Sequence, residues 1–79
     1  MKKVNKILDF KVFLEADPSG GYVVQCPSLA GCYSQGETIE EALENIKEAI
    51  ELCVEDMKIH KEKIPDTSKT FVSSVLVNV

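Results

Sequence analysis

The three cysteines, Cys26, Cys32 and Cys53, carry the most reactive side chains of this sequence. An odd number of cysteines without a Cys-x-x-Cys pair matches neither a disulfide framework nor a zinc site. We interpret them as small buried residues of a protein in a reducing compartment. A redox pair of Cys26 and Cys32 stays as the alternative, because these two residues flank one loop and can approach each other.

His60 is the single histidine of the chain, and no cysteine or carboxylate spacing around it suggests a metal ligand. It is therefore predicted to lie on the surface, and no metal ion or cofactor is expected. The formal net charge of -4 argues against nucleic acid as a direct partner. An acidic surface of this kind suits water or a basic protein.

The length of 79 residues predicts a single domain, spanning residues 1–79. Domains this small are often strengthened by association, so a homo-oligomer is expected. No apolar stretch approaches the roughly 20 residues that a membrane span needs. The N-terminal residues alternate instead of forming the apolar run of a signal peptide, so the expected location is the cytoplasm.

Three short strands are predicted in the first half of the chain. Residues 7–15 alternate, with Leu8, Phe10, Val12 and Leu14 on an inner face, while Phe13 interrupts the polar face and is assigned to an edge or an interface. A turn at residues 17–21 leads into a second strand at 22–26, and the two strands should form an antiparallel hairpin. The second strand stops at a proline, and residues 32–35 are predicted to run back as the third strand.

A long amphipathic helix follows the third strand. Thr38 and Glu41 have capping-box spacing, and apolar residues recur at helical spacing to about His60. Lysines at the C-terminal end suit the helix dipole, and Pro65 is predicted to close the helix.

The segment of residues 70–79, TFVSSVLVNV, predicts a fourth strand with apolar residues on both faces. A right-handed crossover places this strand parallel to the first one, in the sheet order 3-2-1-4. The expected fold is therefore a two-layer β-β-β-α-β domain of the α+β class, with one long helix on one face of the sheet. One helix cannot cover both faces, so a self-association site is predicted at the spare apolar residues, Phe71, Val72, Val75, Leu76 and Val77.

The stretch from about residue 10 to residue 52 closely resembles the HicB family of antitoxin-like domains. The matching motifs are Gly20-Gly21-Tyr22, then Pro27 and Leu29 with Gly31-Cys32, then Gly36-Glu37-Thr38 and Glu41-Ala42. Ala30 stands where proline is common in the family. The resemblance implies a partial ribonuclease-H-like fold, which agrees with the order of elements derived above.

The resemblance also implies an antitoxin of a HicA/HicB-type toxin–antitoxin system. Such an antitoxin binds and inhibits HicA, a small, typically basic toxin that cleaves messenger RNA. An acidic domain meeting a basic toxin has the complementary charge for rapid association. Many family members carry a C-terminal helix-turn-helix or ribbon-helix-helix domain, and none is present up to Val79, so direct DNA binding and autorepression are not expected.

The predicted partner surface is the loop and rim around residues 25–37, because it combines exposed polar groups with an irregular backbone. Its residues are Tyr22, Gln25, Ser28, Leu29, Tyr33, Gln35 and Glu37. Substituting Leu29 or Tyr33 is predicted to weaken partner binding without unfolding the protein.

The alternatives to an antitoxin are a nuclease and a stand-alone interaction module. A nuclease needs several carboxylates converging on divalent metal, but Asp9 should face away from the helix and the fourth strand carries no acid, so no enzyme is expected. A stand-alone, non-catalytic interaction module with another protein partner has the same predicted fold. A small basic reading frame beside the gene would favour the antitoxin over this module.

Overall fold

The structure is a computed structural model that describes residues 7–79, so residues 1–6 of the predicted domain lie outside it. The described residues form three strands and one helix: β1 (Phe13–Ala16), β2 (Tyr22–Gln25), β3 (Tyr33–Gly36) and α1 (Ile39–Ile59). The strands are antiparallel in the order β1-β2-β3, and α1 packs against β2 and β3. This arrangement confirms the α+β class, the three-stranded antiparallel meander and the single long helix for the described part of the chain.

The hairpin between β1 and β2 is held by hydrogen bonds around Asp17. The backbone N–H and the hydroxyl of Ser19 both donate to Asp17 Oδ1, at 2.9 and 2.7 Å. The Gly20 N–H donates to the Asp17 carbonyl at 2.9 Å, and Gly20 and Gly21 have φ of 110° and 76°. The turn predicted at residues 17–21 therefore forms as expected, because its glycines adopt the left-handed backbone conformation that other residues avoid.

β1 is shorter than predicted, since residues 7–12 are not part of a strand. The last β1–β2 pair joins Phe13 to Gln25, and Pro27, which has no N–H to donate, follows closely. Within the described residues, 7–12 thus have no strand to pair with. Their alternation still holds, because Phe10 and Val12 pack against the core.

The ends of α1 show which side chains start and stop it. The Glu41 N–H donates to Thr38 Oγ1 at 3.0 Å, as the capping-box spacing predicts. The Glu41 carboxylate accepts from the N–H of Glu37 at 2.9 Å, one residue earlier than in the usual capping box. At the other end, Lys61 has φ of 56° and the Glu62 N–H donates to the Met57 carbonyl at 2.8 Å, a Schellman motif. The helix therefore stops before Pro65, which does not close it as predicted.

The core lies between the sheet and α1. Its buried apolar residues are Val24, Cys26, Leu29, Cys32, Ala42 and Ile46. The helix approaches β3 so closely at Gly36 that a Cβ there would lie 2.4 Å from the Ala42 nitrogen. Asn45 Nδ2 donates to the Gln35 carbonyl at 2.7 Å and links the helix to β3 a second time.

The predicted fourth strand does not form within the described chain, which corrects the expected β-β-β-α-β order at its last element. The buried Thr67 donates its hydroxyl to the Asp9 carbonyl, and a turn from Thr67 to Thr70 follows. Residues 70–79 are then exposed and outside any strand. A strand that is apolar on both faces needs a neighbouring strand and cover on both sides, and no described segment supplies them.

Among the residues described, no helix is both long and apolar enough to cross a membrane.

Candidate functional site

The face of the sheet turned away from α1 presents two rows of side chains. The strand registers align Phe13, Gln25 and Tyr33 in one row. They align Glu15, Val23 and Gln35 in the next row. These six residues, called the open sheet face below, line an open depression of about 470 Å³.

The open sheet face is more apolar than a solvated sheet surface should be. Tyr33 is 69% exposed, Phe13 44% and Val23 37%, and no segment among residues 7–79 covers them. In an antiparallel sheet the outward positions normally carry polar side chains. Aromatic and aliphatic residues grouped on an exposed face, with polar residues beside them, are typical of a surface that contacts another protein.

The structure brings together Gln25, Tyr33 and Gln35 of the predicted partner surface on the open sheet face. The structure places Tyr22 and Glu37, which also belong to the predicted partner surface, away from these three residues. Tyr22 lies on the opposite face and packs against the core, and Glu37 precedes the helix. The predicted surface around residues 25–37 is therefore divided between two sides of the molecule.

Leu29 is in the core, only 6% exposed, which corrects its place in the predicted partner surface. The loop folds into two turns. The Leu29 N–H donates to the Cys26 carbonyl and the Cys32 N–H to the Leu29 carbonyl, both at 3.2 Å. Ser28 beside it is half-buried. Because the folded loop buries Leu29, we now expect its substitution to lower stability.

Sequence reasoning assigned Phe13 to an edge or an interface but did not include it, Glu15 or Val23 in the partner surface. A signal was present, since Phe13 and Val23 are apolar residues at outward positions of their strands. What the sequence did not show was the register, which places them beside Gln25 and Tyr33. Which side chains lie side by side on a sheet depends on how the strands pair, and paired residues can be distant in the chain.

The three cysteines are free thiols, with Cys26 and Cys32 buried and Cys53 half-buried. Burial and a hydrogen bond with Cys53 raise the pKa of Cys32 to about 11. A thiol that keeps its proton at neutral pH is a poor nucleophile. The interpretation of these cysteines as small packing residues is confirmed for Cys26 and Cys32.

His60 is exposed at the end of α1, where the sequence placed it. Its Nδ1 lies 2.9 Å from the Asp56 carbonyl oxygen. That hydrogen bond, with the Asp56 carboxylate nearby, raises the pKa of His60. Asp56, His60 and Glu62 lie close enough to share a cation, but all three are exposed and typical of a solvated helix end.

Comparison with known proteins identifies the family of this chain. The model of the HicB-like antitoxin of bacterial toxin–antitoxin systems matches residues 10–75. This chain belongs to the HicB-like antitoxin family. A UPF0150 protein of Synechocystis sp. is 47% identical over 60 residues, which is 76% of each chain. A UPF0150 protein of Thermoplasma acidophilum is 50% identical over 58 residues, covering 73% of this chain and 84% of the relative.

A third relative, a UPF0150 protein of Archaeoglobus fulgidus, is 45% identical over 51 residues, covering 65% of this chain and 74% of its own. The HicB-like match spans all three strands, the helix and the first part of the exposed C-terminal segment. Both the open sheet face and residues 70–75 thus lie within the family domain.

Proposed function

We propose that this HicB-like protein is the antitoxin of a toxin–antitoxin pair. It binds and inhibits a small basic toxin similar to HicA, which cleaves messenger RNA, and it does so in the cytoplasm without catalysing a reaction or binding DNA itself. Membership of the HicB-like family supports an antitoxin in general. The net charge of -4 supports a basic partner.

The open sheet face is the observation that supports the proposed binding site. Phe13, Val23 and Tyr33 supply an apolar centre, and Gln25 and Gln35 supply amides that donate and accept hydrogen bonds. Large aromatic side chains with a polar surround are the residues that most often dominate binding energy at protein interfaces. We assign the toxin contact to this face and keep Gln25, Tyr33 and Gln35 from the sequence prediction.

The exposed side of α1 adds an acidic stripe that can attract a basic partner before contact. Its residues are Glu40, Glu44, Glu48, Glu51 and Glu55. Charges outside the contact surface mainly raise the association rate, and salt screens them. We therefore expect the stripe to affect how fast the toxin binds more than how tightly.

The test is co-purification with a small basic protein encoded beside this gene, together with RNA cleavage by that protein. Tyr33→Ala is expected to weaken binding about tenfold or more, because truncating an interface aromatic removes both area and ring contacts. Leu52→Ala is the matched control, since Leu52 is an apolar residue of α1 with 68% exposure against 69% for Tyr33. The control should bind like the unchanged protein.

Equal binding of the two variants would show that the open sheet face is not the toxin site. A neighbouring protein that neither cleaves RNA nor binds this chain would contradict the antitoxin function and favour the non-catalytic interaction module. Metal-dependent RNA cleavage by this protein alone would contradict the absence of catalysis.

A further inference from the structure

The C-terminal segment, defined as residues 70–79, exposes an unusual amount of apolar surface. Phe71 and Val75 are each 83% exposed, and Leu76 is 98% exposed. In an extended chain, Phe71, Val75, Val77 and Val79 share one face. Such a segment is costly to leave in water and has the composition of a buried strand.

A mainly apolar groove lies between residues 8–12, which precede β1, and one side of α1. Its apolar lining includes Phe10, Val12, Ile46, Ile50 and Val54, and the charged side chains of Lys47, Glu51, Glu55 and Lys58 also line it. Its volume is about 880 Å³. Residues 7–12 form the edge of this groove, and within the described chain no strand pairs with them.

Thr67 fixes the chain just before the C-terminal segment. It is buried, and its hydroxyl donates to the carbonyl of Asp9, the residue before Phe10 of the groove. The Thr70 N–H then donates to the Thr67 carbonyl at 3.1 Å in a turn, and the segment that follows is exposed. A mainly apolar groove and an exposed apolar segment thus belong to the same molecule.

We propose that two copies of this chain exchange their C-terminal segments. Residues 70–79 of one copy lie in the groove of the other, pair with residues 7–16 as a fourth strand parallel to β1, and complete a sheet in the order 3-2-1-4. The face with Phe71, Val75 and Val77 packs on Phe10, Val12 and α1, while Val72 and Leu76 extend the open sheet face. This inference does not depend on the toxin.

Length and area both suit the exchange. At about 3.3 Å per residue, a strand of residues 70–79 spans about 33 Å, the length of an extended chain over residues 7–16. An unfolded segment of this mass exposes about 1,500 Å². If each of the two segments buries half of this area in the groove of the other copy, and covers an equal area of that groove, about 3,000 Å² is removed from water in total. This is above the roughly 1,200–2,000 Å² of a standard interface.

The first measurement is the mass of the unchanged protein by sedimentation equilibrium over a range of concentrations. Twice the 8.7 kDa of one chain is expected. Val75→Asp should raise the dimer dissociation constant about 100-fold or more, because it buries a carboxylate without a partner in the apolar groove. Ser74→Asp, the adjacent residue on the opposite face, is the matched control and should leave the constant within about threefold.

Hydrogen exchange on the unchanged protein gives a second result that does not require a variant to fold. Alternate amides of residues 7–12 and of the C-terminal segment should exchange more slowly as the concentration rises, because they pair only in the dimer. A dimer that leaves these amides exposed and responds equally to Val75→Asp and Ser74→Asp would overturn the exchange. A monomer at all concentrations would also overturn it, with protected amides indicating that the segment folds onto its own groove.

Discussion

The Cys32 thiol and the Tyr33 ring are adjacent in the chain and face opposite environments. Cys32 is 4% exposed in the core, while Tyr33 is 69% exposed on the open sheet face. Cys32 lies just before β3, whereas Tyr33, the first residue of β3, is aligned with Gln25 on the face turned away from α1. Residue type alone does not tell which of the two belongs to a binding surface.

Cys32 should react slowly with alkylating reagents while the protein is folded. With a pKa of about 11, only about one thiol in a thousand is ionised at pH 8. Alkylation by iodoacetamide, followed by mass spectrometry, is expected to be at least about 100-fold slower than in urea, where the pKa returns to about 8.5. Equal rates in the folded and unfolded protein would contradict this account.

Because folding raises the pKa of Cys32, the thiol of the unfolded chain ionises first as the pH rises. The contribution of Cys32 to stability therefore falls between about pH 9 and pH 11.

The contact between α1 and β3 depends on a missing side chain. Gly36 ends β3, and the first turns of α1 pass directly over it. Side chains elsewhere hold a helix away from the sheet, whereas a glycine allows closer approach. The same closeness lets Asn45 reach the Gln35 carbonyl.

Gly36→Ala should destabilise the protein by about 3 kcal/mol, because the new Cβ meets the backbone of Ala42, which cannot move independently of the helix. Gly31→Ala provides the comparison. Its φ of 70° disfavours a side chain, but an added Cβ meets nothing within 4 Å. That variant should lose only about 1–2 kcal/mol. Urea unfolding measures both, and an equal loss would mean that the helix can shift to make room.

At the scale of the whole molecule, few apolar side chains are buried and many large apolar side chains are exposed among the described residues. The core is a thin layer between a short sheet and one helix, while the C-terminal segment and the open sheet face remain uncovered within residues 7–79. A domain this small buries only about 60% of its unfolded surface. The proposed exchange of C-terminal segments would bury part of this exposed surface and so stabilise the fold.

The melting temperature should depend on protein concentration. If dimer formation is coupled to folding, raising the concentration about 100-fold should raise the melting temperature by about 5 °C or more. Val75→Asp should show almost no dependence, while Ser74→Asp should behave like the unchanged protein. Scanning calorimetry at two concentrations makes the measurement, and a constant melting temperature for the unchanged protein would contradict a coupled dimer.

The amino-acid sequence by itself determined the local elements of this protein. The turn at Asp17, the Thr38 cap and the stripe of apolar residues along α1 were all predicted. Each depends on residues within a few positions of one another, so nearby side chains are enough to decide the backbone conformation. The motifs of residues 20–42 also led to the HicB-like family, which the match over residues 10–75 confirmed.

Only the tertiary structure decided which residues lie together on the open sheet face. It buried Leu29, separated Tyr22 from Tyr33, and joined Phe13 and Val23 to the open sheet face. It also left residues 70–79 without a strand to pair with in the described chain, although their composition predicts a strand. Burial, register and strand pairing join residues that are far apart in the chain, and a strand forms only where a second edge lies beside it.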